Sequence, residues 1–223
     1  MALIQVRPAP RPRRGRGLTY DPAQASAHLA AADPILARVI ERTGACTIRP
    51  PWTRSLFDAL LRSIVYQQLN GKAAETILSR VVALYAPAPA PEPAALLATE
   101  DVVLRVAGLS RNKTAAIKDL ARHAIDGTIP TPIEARSLSD DELIDRLTVV
   151  RGIGRWTVEM LLIFRLGRPD VLPVTDLGVR KGFQRAYDMR RLPAAVTITR
   201  RAERWRPYRS VASWYLWREA ERR

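Results

Sequence analysis

The chain has 223 residues, 47% of them hydrophobic, which suits one folded domain or two with a real core. Lysine and arginine (36) outnumber aspartate and glutamate (22), a net charge of +14 that points to a polyanionic partner. A single cysteine, Cys46, excludes an internal disulfide, two distant histidines (His28 and His123) give no metal-ligand spacing, and no apolar run nears the roughly 18 residues that span a bilayer.

"MALIQVRPAP" is too poor in apolar residues, and meets proline too early, for a secretory signal; the expectation is a soluble, cytoplasmic protein with no membrane contact and no metal. Residues 1–20, with "RPAPRPRRGRG", read as a basic flexible arm. "DPAQASAHLAAADPILARVIERTG" reads as two short helices, each opened by Asp-Pro, with Gly44 ending the second. Leu56, Phe57, Leu60, Leu61, Ile64 and Val65 recur at helical spacing until Asn70-Gly71 breaks the pattern. "KAAETILSRVVALY" is a further helix, and the proline-alternating "APAPAPEPAA" cannot be helical. "ALLATEDVVLRVAG" and "SRNKTAAIKDLARHAIDG" each read as one helix closed by glycine, "TIPTPIEARSL" as a loop, and "SDDELIDRLTVV" as a helix opened by a Ser139–Glu142 capping box. After "RWTVEMLLIFRLG" comes extended "RPDVLPVT", a helix from about Asp176, and a tail with a short helix and a longer one after Pro207. No alternating strand pattern appears, so the fold class is all-α.

"LTVVRGIGRWTV" places a glycine turn between two helices. Gly152 and Gly154 can take positive φ and let a ligand approach the backbone, while the amides near Gly152, Gly154 and Arg155 open a helix as an anion site. Arg151 and Arg155 add charge. A plain αα-corner is the bland alternative, but the full L-x-x-V-x-G-I-G-x-x-T pattern, through Thr157, with the positive balance of the chain, favours a helix-hairpin-helix that grips a DNA backbone without reading bases.

Four stretches in order, "SIVYQQLNGKAAETI", "GLSRNKTAAIKDLA", "VRGIGRWTVEMLLIF" with "VLPVTDLGVRKGF", and "AERWRPYRSVASWYLWR", resemble the helix-hairpin-helix DNA glycosylases over about residues 30–220, in the alkylated-base branch called DNA-3-methyladenine glycosylase II. The resemblance implies a two-lobed fold with the active-site cleft between the lobes: residues 21–54 plus 168–223 in one, and 55–167, with the hairpin, in the other. It implies a monomer acting on double-stranded DNA that contains alkylated bases, no organic cofactor, and a monovalent cation at the hairpin when DNA is bound.

The resemblance also puts the catalytic carboxylate at Asp176, whereas local sequence alone favours a helix N-cap there. Breaking an N-glycosidic bond builds positive charge on the deoxyribose, which a fixed carboxylate stabilises while orienting water. Strand-cutting members carry a lysine where this chain has Trp156, and none of Lys72, Lys113, Lys118 or Lys181 lies in the hairpin, so the expected enzyme is a monofunctional glycosylase. One cysteine excludes the four-cysteine iron–sulfur cluster of some relatives.

Trp156, Tyr66, Trp214 and Trp217 are the candidates for an aromatic pocket that stacks on a cationic alkylated purine; core packing is the alternative for most of the aromatic residues. The wedge that replaces a flipped base falls on Gln67, Gln68 or Leu69, with Gln68 favoured. Ser110, Arg111 and Lys113 at a helix start, and Arg180 and Lys181 after Asp176, are expected phosphate contacts. The competing readings are a non-catalytic DNA-binding module and a glycosylase for uracil, oxidised purines or deaminated adenine.

Overall fold

The computed structural model describes residues 18–50 and 55–222; most of the expected basic arm lies outside the described residues. Those residues form helices and no strand, in agreement with the all-α reading. In order these are α1 (Pro22–Ala32), α2 (Pro34–Thr43), α3 (Leu56–Tyr66), α4 (Gly71–Ala83), α5 (Pro93–Ala98), α6 (Asp101–Val106), α7 (Arg111–Ile125), α8 (Glu134–Ser137), α9 (Asp140–Leu147), α10 (Arg155–Phe164), α11 (Leu177–Ala186), α12 (Ala195–Ala202) and α13 (Arg209–Glu221). A 3-10 turn, Glu203–Trp205, follows α12. None of these helices is long and apolar enough to cross a membrane.

Short polar side chains set the starts. Asp21, Asp33, Ser55, Asn70, Ser110, Ser139 and Asp176 each accept from an amide of the helix they open. Asn70, read from sequence as a breaker, is thus the cap of α4. Two further expectations change. "ALLATEDVVLRVAG" is two helices, because Thr99 and Glu100 turn extended between α5 and α6. The Thr99 hydroxyl bonds Ala95 O and Tyr85 Oη and so holds that break. In "TIPTPIEARSL", Thr131 and Glu134 exchange hydrogen bonds of 2.7 and 3.2 Å, a reciprocal cap that starts the one-turn α8.

The first two helices pack against α11 and α13. Asp33, fully buried, caps α2 and also accepts from Tyr187 Oη (2.6 Å), Arg201 Nε (3.0 Å) and Trp205 Nε1 (3.2 Å). Arg42 of α2 pairs with buried Glu219 of α13 at 2.7 Å. Helices α11 and α13 cross at Gly182, where a β-carbon would lie 1.8 Å from the carbonyl oxygen of Leu216. Only a glycine allows this approach, and it fixes where the last turns of α13 stand relative to the start of α11. Helices α3, α4, α7, α9 and α10 pack among themselves, with α5 and α6 against α7, and one continuous apolar core runs through both groups.

Candidate active site

Helix α9, the turn 148–154 and helix α10 form the hairpin. Gly152 takes φ +81° as expected; Gly154 does not, lying extended at φ −97°, ψ 168°. A β-carbon on Gly154 would meet nothing within 4 Å, so the protein's own packing does not require glycine there, and the bare backbone leaves room for an outside group. No side chain caps α10, and among the described residues the amides of Gly154, Arg155 and Trp156 have no acceptor. Unpaired amides at a helix start form an anion site.

The turn is held from three sides. Arg151 N donates to Asp119 Oδ2 of α7 (2.8 Å), Gln67 Nε2 donates to Gly152 O (2.9 Å), and Ile153 is buried. The Arg151 side chain is exposed beside the free amides. Arg155 is exposed too, with Nε donating to Glu159 (3.1 Å). Thr157, expected to contact DNA, is instead buried on the inner side of α10, where it lines the cleft described next.

A cavity of about 490 Å³ opens beside the hairpin, lined by Ser63, Tyr66, Gln67, Gln68, Trp156, Thr157 and Met160. Trp156 is 47% exposed, which is unusual for so large an apolar ring and leaves it free to stack. Its orientation is fixed all the same: Nε1 donates to Asp176 Oδ2 at 2.7 Å. Asp176 is the N-cap of α11, and its Oδ1 accepts from Val179 N (2.7 Å) and from Trp217 Nε1 (2.8 Å). The cap reading and the site reading therefore both hold for one side chain. Trp217 reaches Asp176 because residue 178 is glycine: a β-carbon there would lie 2.6 Å from Trp217 Cδ1. Sequence reasoning missed Gly178 and Gly182, although their i, i+4 spacing marks one bare face of α11.

Tyr66 faces the cavity with its hydroxyl engaged by Arg62 and Glu75, and the Arg62 guanidinium lies 4.2 Å from its ring centroid. Trp217 stands behind Asp176 against Phe164 and does not line the cavity. Trp214 is a correction: it is buried against Tyr215, away from the cleft, because α13 turns that position into the core. Trp205 and Tyr215 are core as well. Glu159 of α10 is buried with Oε2 unpartnered. Burial pushes its carboxyl above the usual range, the bond and charge of Arg155 pull it back in part, and the charge of Asp176 pushes it further up.

Beyond α3, Gln67 is tied to the hairpin, Gln68 (φ +58°) is exposed at the cleft, and Leu69 is exposed but does not line it. Ser110 is the N-cap of α7, and Arg111 is exposed. Lys113 is a second correction: it points inward, donating to Val65 O (2.6 Å) and Gln67 O (2.7 Å), because α3 ends there with carbonyls to satisfy. Arg180 donates to Pro193 O at 3.1 Å, whereas Lys181 is exposed.

The profile of the HhH-GPD superfamily of base excision DNA repair proteins matches residues 61–207. DNA-3-methyladenine glycosylase 1 of Schizosaccharomyces pombe is 36% identical over 203 residues, 89% of this chain and 87% of the relative. The structure of the 3-methyladenine DNA glycosylase of that organism in complex with abasic DNA superposes with a TM-score of 0.76, at 36% identity, covering 87% of this chain and 95% of the other. A DNA-3-methyladenine glycosidase structure from Bacillus halodurans gives 0.79 at 33% identity, covering 91% of each chain.

Proposed function

Because the chain belongs to the HhH-GPD superfamily of base excision DNA repair proteins, we propose that it is a monofunctional DNA glycosylase that hydrolyses the N-glycosidic bond of alkylated purines in duplex DNA. The observation that carries this reading is the Asp176 carboxylate, held by two indole N–H groups, one of which belongs to the exposed ring lining the cavity.

The chemistry follows from that placement. The free amides of the hairpin bind a phosphate of the damaged strand, with Arg151 and Arg155 adding charge. The flipped base enters the cavity and stacks against Trp156 and Tyr66. A purine alkylated at N3 or N7 is cationic, and its attraction to an electron-rich ring is worth on the order of 1–2 kcal/mol once desolvated. The bond from C1′ to the base nitrogen breaks, the electron pair leaves with the base, and the base's charge is neutralised. Positive charge appears on the sugar, where Asp176 stabilises it. Water adds to C1′ and loses a proton, leaving a free base and an intact abasic site. Trp156 has no amine, Lys113 is bonded to carbonyls and Lys118 is paired with Asp101, so no amine is offered to the sugar by these residues. The protein acts as a single chain, with the hairpin on one lobe (55–167) and Asp176 on the other (21–54 plus 168–223).

The test is release of methylated purines from duplex DNA. Asp176→Asn is expected to bind an abasic-analogue duplex normally and to lose roughly 100- to 1000-fold in excision. Near-normal excision by that variant, or a borohydride-trapped covalent adduct with the wild-type chain, would overturn the assignment.

A further inference from the structure

At the C-terminus of α3, Ile64 O accepts from Gln67 N and Tyr66 O from Leu69 N. The carbonyls between and after them, Val65 O and Gln67 O, point to the Lys113 ammonium at 2.6 and 2.7 Å. Every carbonyl from 64 to 67 is thus satisfied, half of them by one side chain from another helix. A cation also suits this place, since a helix C-terminus carries partial negative charge. The next residue, Gln68, stands at φ +58°, a conformation that residues other than glycine resist and keep only when their surroundings impose it. Its flanks are imposed: the Gln67 carbonyl by Lys113 and the Gln67 side chain by Gly152 O. Helix α7 then holds both banks of the cleft mouth, Lys113 gripping the turn after α3 and Asp119 gripping Arg151 N of the hairpin.

We propose that Lys113 is a positioning residue for excision from duplex DNA: it sets the turn that presents Gln68 at the cleft mouth and locks that turn to the hairpin. The inference rests on the glycosylase reading and deepens it. Two of the three Lys113 donors are committed to carbonyls inside the protein, which sets it apart from the exposed Arg111 beside it. Burial lowers its pKa, as expected of an ammonium turned from solvent.

The experiment compares Lys113→Met, Lys113→Arg, Gln68→Ala and the Lys113→Met/Gln68→Ala pair in single-turnover excision of 7-methylguanine, from a duplex and from the same strand unpaired. Lys113→Met is expected to lose about 10- to 100-fold on the duplex, the effect of a small displacement in a positioned group, with little change on the single strand. Lys113→Arg, which keeps the charge and the donors, loses less, and keeps the comparison open if the methionine variant does not fold. The double variant falls no lower than the worse single one. The salt dependence of duplex binding is unchanged in Lys113→Met, whereas Arg111→Ala lowers the slope by about one. Equal losses on both substrates, additive effects, or a slope lowered by about one in Lys113→Met would overturn the proposal. Should the wild-type chain release no base from either substrate, the functional reading falls on its own. Lys113 is then judged by 2-aminopurine beside an abasic analogue in a duplex, where Lys113→Met and Gln68→Ala must reduce unstacking alike for the proposal to stand.

Discussion

Replacing Gly178 by alanine separates the chemistry from the fold. The new β-carbon would lie 2.6 Å from Trp217 Cδ1 and 3.0 Å from both Trp217 Nε1 and Asp176 Oδ1. Relaxed carbon contacts sit near 3.5–4.0 Å, so the indole must retreat by about 1 Å. That lengthens its present 2.8 Å bond to Oδ1 past the roughly 3.5 Å at which a hydrogen bond is lost. A bond to a charged acceptor contributes about 1.5–3 kcal/mol, which becomes about a 10- to 150-fold loss of rate if the transition state feels all of it. Alanine is also the better helix former by up to about 1 kcal/mol, which offsets part of the lost bond, so the melting temperature should fall by no more than a few degrees. The assay is single-turnover release of 7-methylguanine from a duplex, with thermal melting and abasic-analogue binding as controls. Gly182→Ala is the contrast: its β-carbon would meet the Leu216 carbonyl at 1.8 Å, no rotamer relieves that, and the melting temperature should fall by several degrees as α11 and α13 separate. A Gly178→Ala protein that excises at the wild-type rate would refute the role given to Trp217.

Trp156→Phe keeps a ring in the cavity but removes the donor to Asp176 Oδ2, and should slow excision by about 10-fold; Trp156→Ala, which also loses the stacking, should be slower still in the same assay. Asp33→Asn should lower stability at neutral pH by about 2–4 kcal/mol by urea unfolding, somewhat below the value for a fully buried pair because Arg201 keeps some solvent. Burial alone would raise the Asp33 carboxyl, but bonds from Tyr187, Trp205 and Arg201 outweigh it and hold the pKa below the usual carboxylate value. Its contribution is therefore full above the unfolded pKa of about 3.9 and is lost as pH falls through the lower folded value, so the gap between wild type and Asp33→Asn should close in acid. Glu159 runs the other way. Its folded pKa is raised, so ionisation opposes folding above the unfolded value of about 4.3, and Glu159→Gln should gain on wild type as pH rises through the folded pKa, read as melting temperature between pH 4.5 and 8.

The helices were legible in the sequence because their starts are written in side chains. Asp-Pro, Ser-x-x-Glu and the Gly152 turn each have a local cause, and each is found. Thr131–Glu134 was equally local, but its one-turn helix was hidden among prolines. What the sequence could not show is direction at a distance. Lys113 looks like a phosphate contact at a helix start until α3 is seen to end beside it. Trp214 and Trp217 sit three apart on one helix, yet only Trp217 meets Gly178; the small residue that admits it lies on a different helix. Gly154 could have taken positive φ and lies extended instead, with open space where a β-carbon would stand.

The donors around Asp176 also constrain the kind of substrate. A carboxylate offers about four acceptor positions. Val179 N and Trp217 fill two on Oδ1, and Trp156 fills one on Oδ2, so one remains. A side chain held in this way is well placed to face a positive sugar and poorly placed to serve as a mobile proton carrier. Among the described residues that line the cavity there is no histidine and no carboxylate to protonate a departing base. Such a site suits a base that already carries its charge, where bond breaking needs stabilisation of the sugar and little else. It follows that N3- and N7-alkylated purines should leave much faster than neutral bases of the same shape in the same release assay.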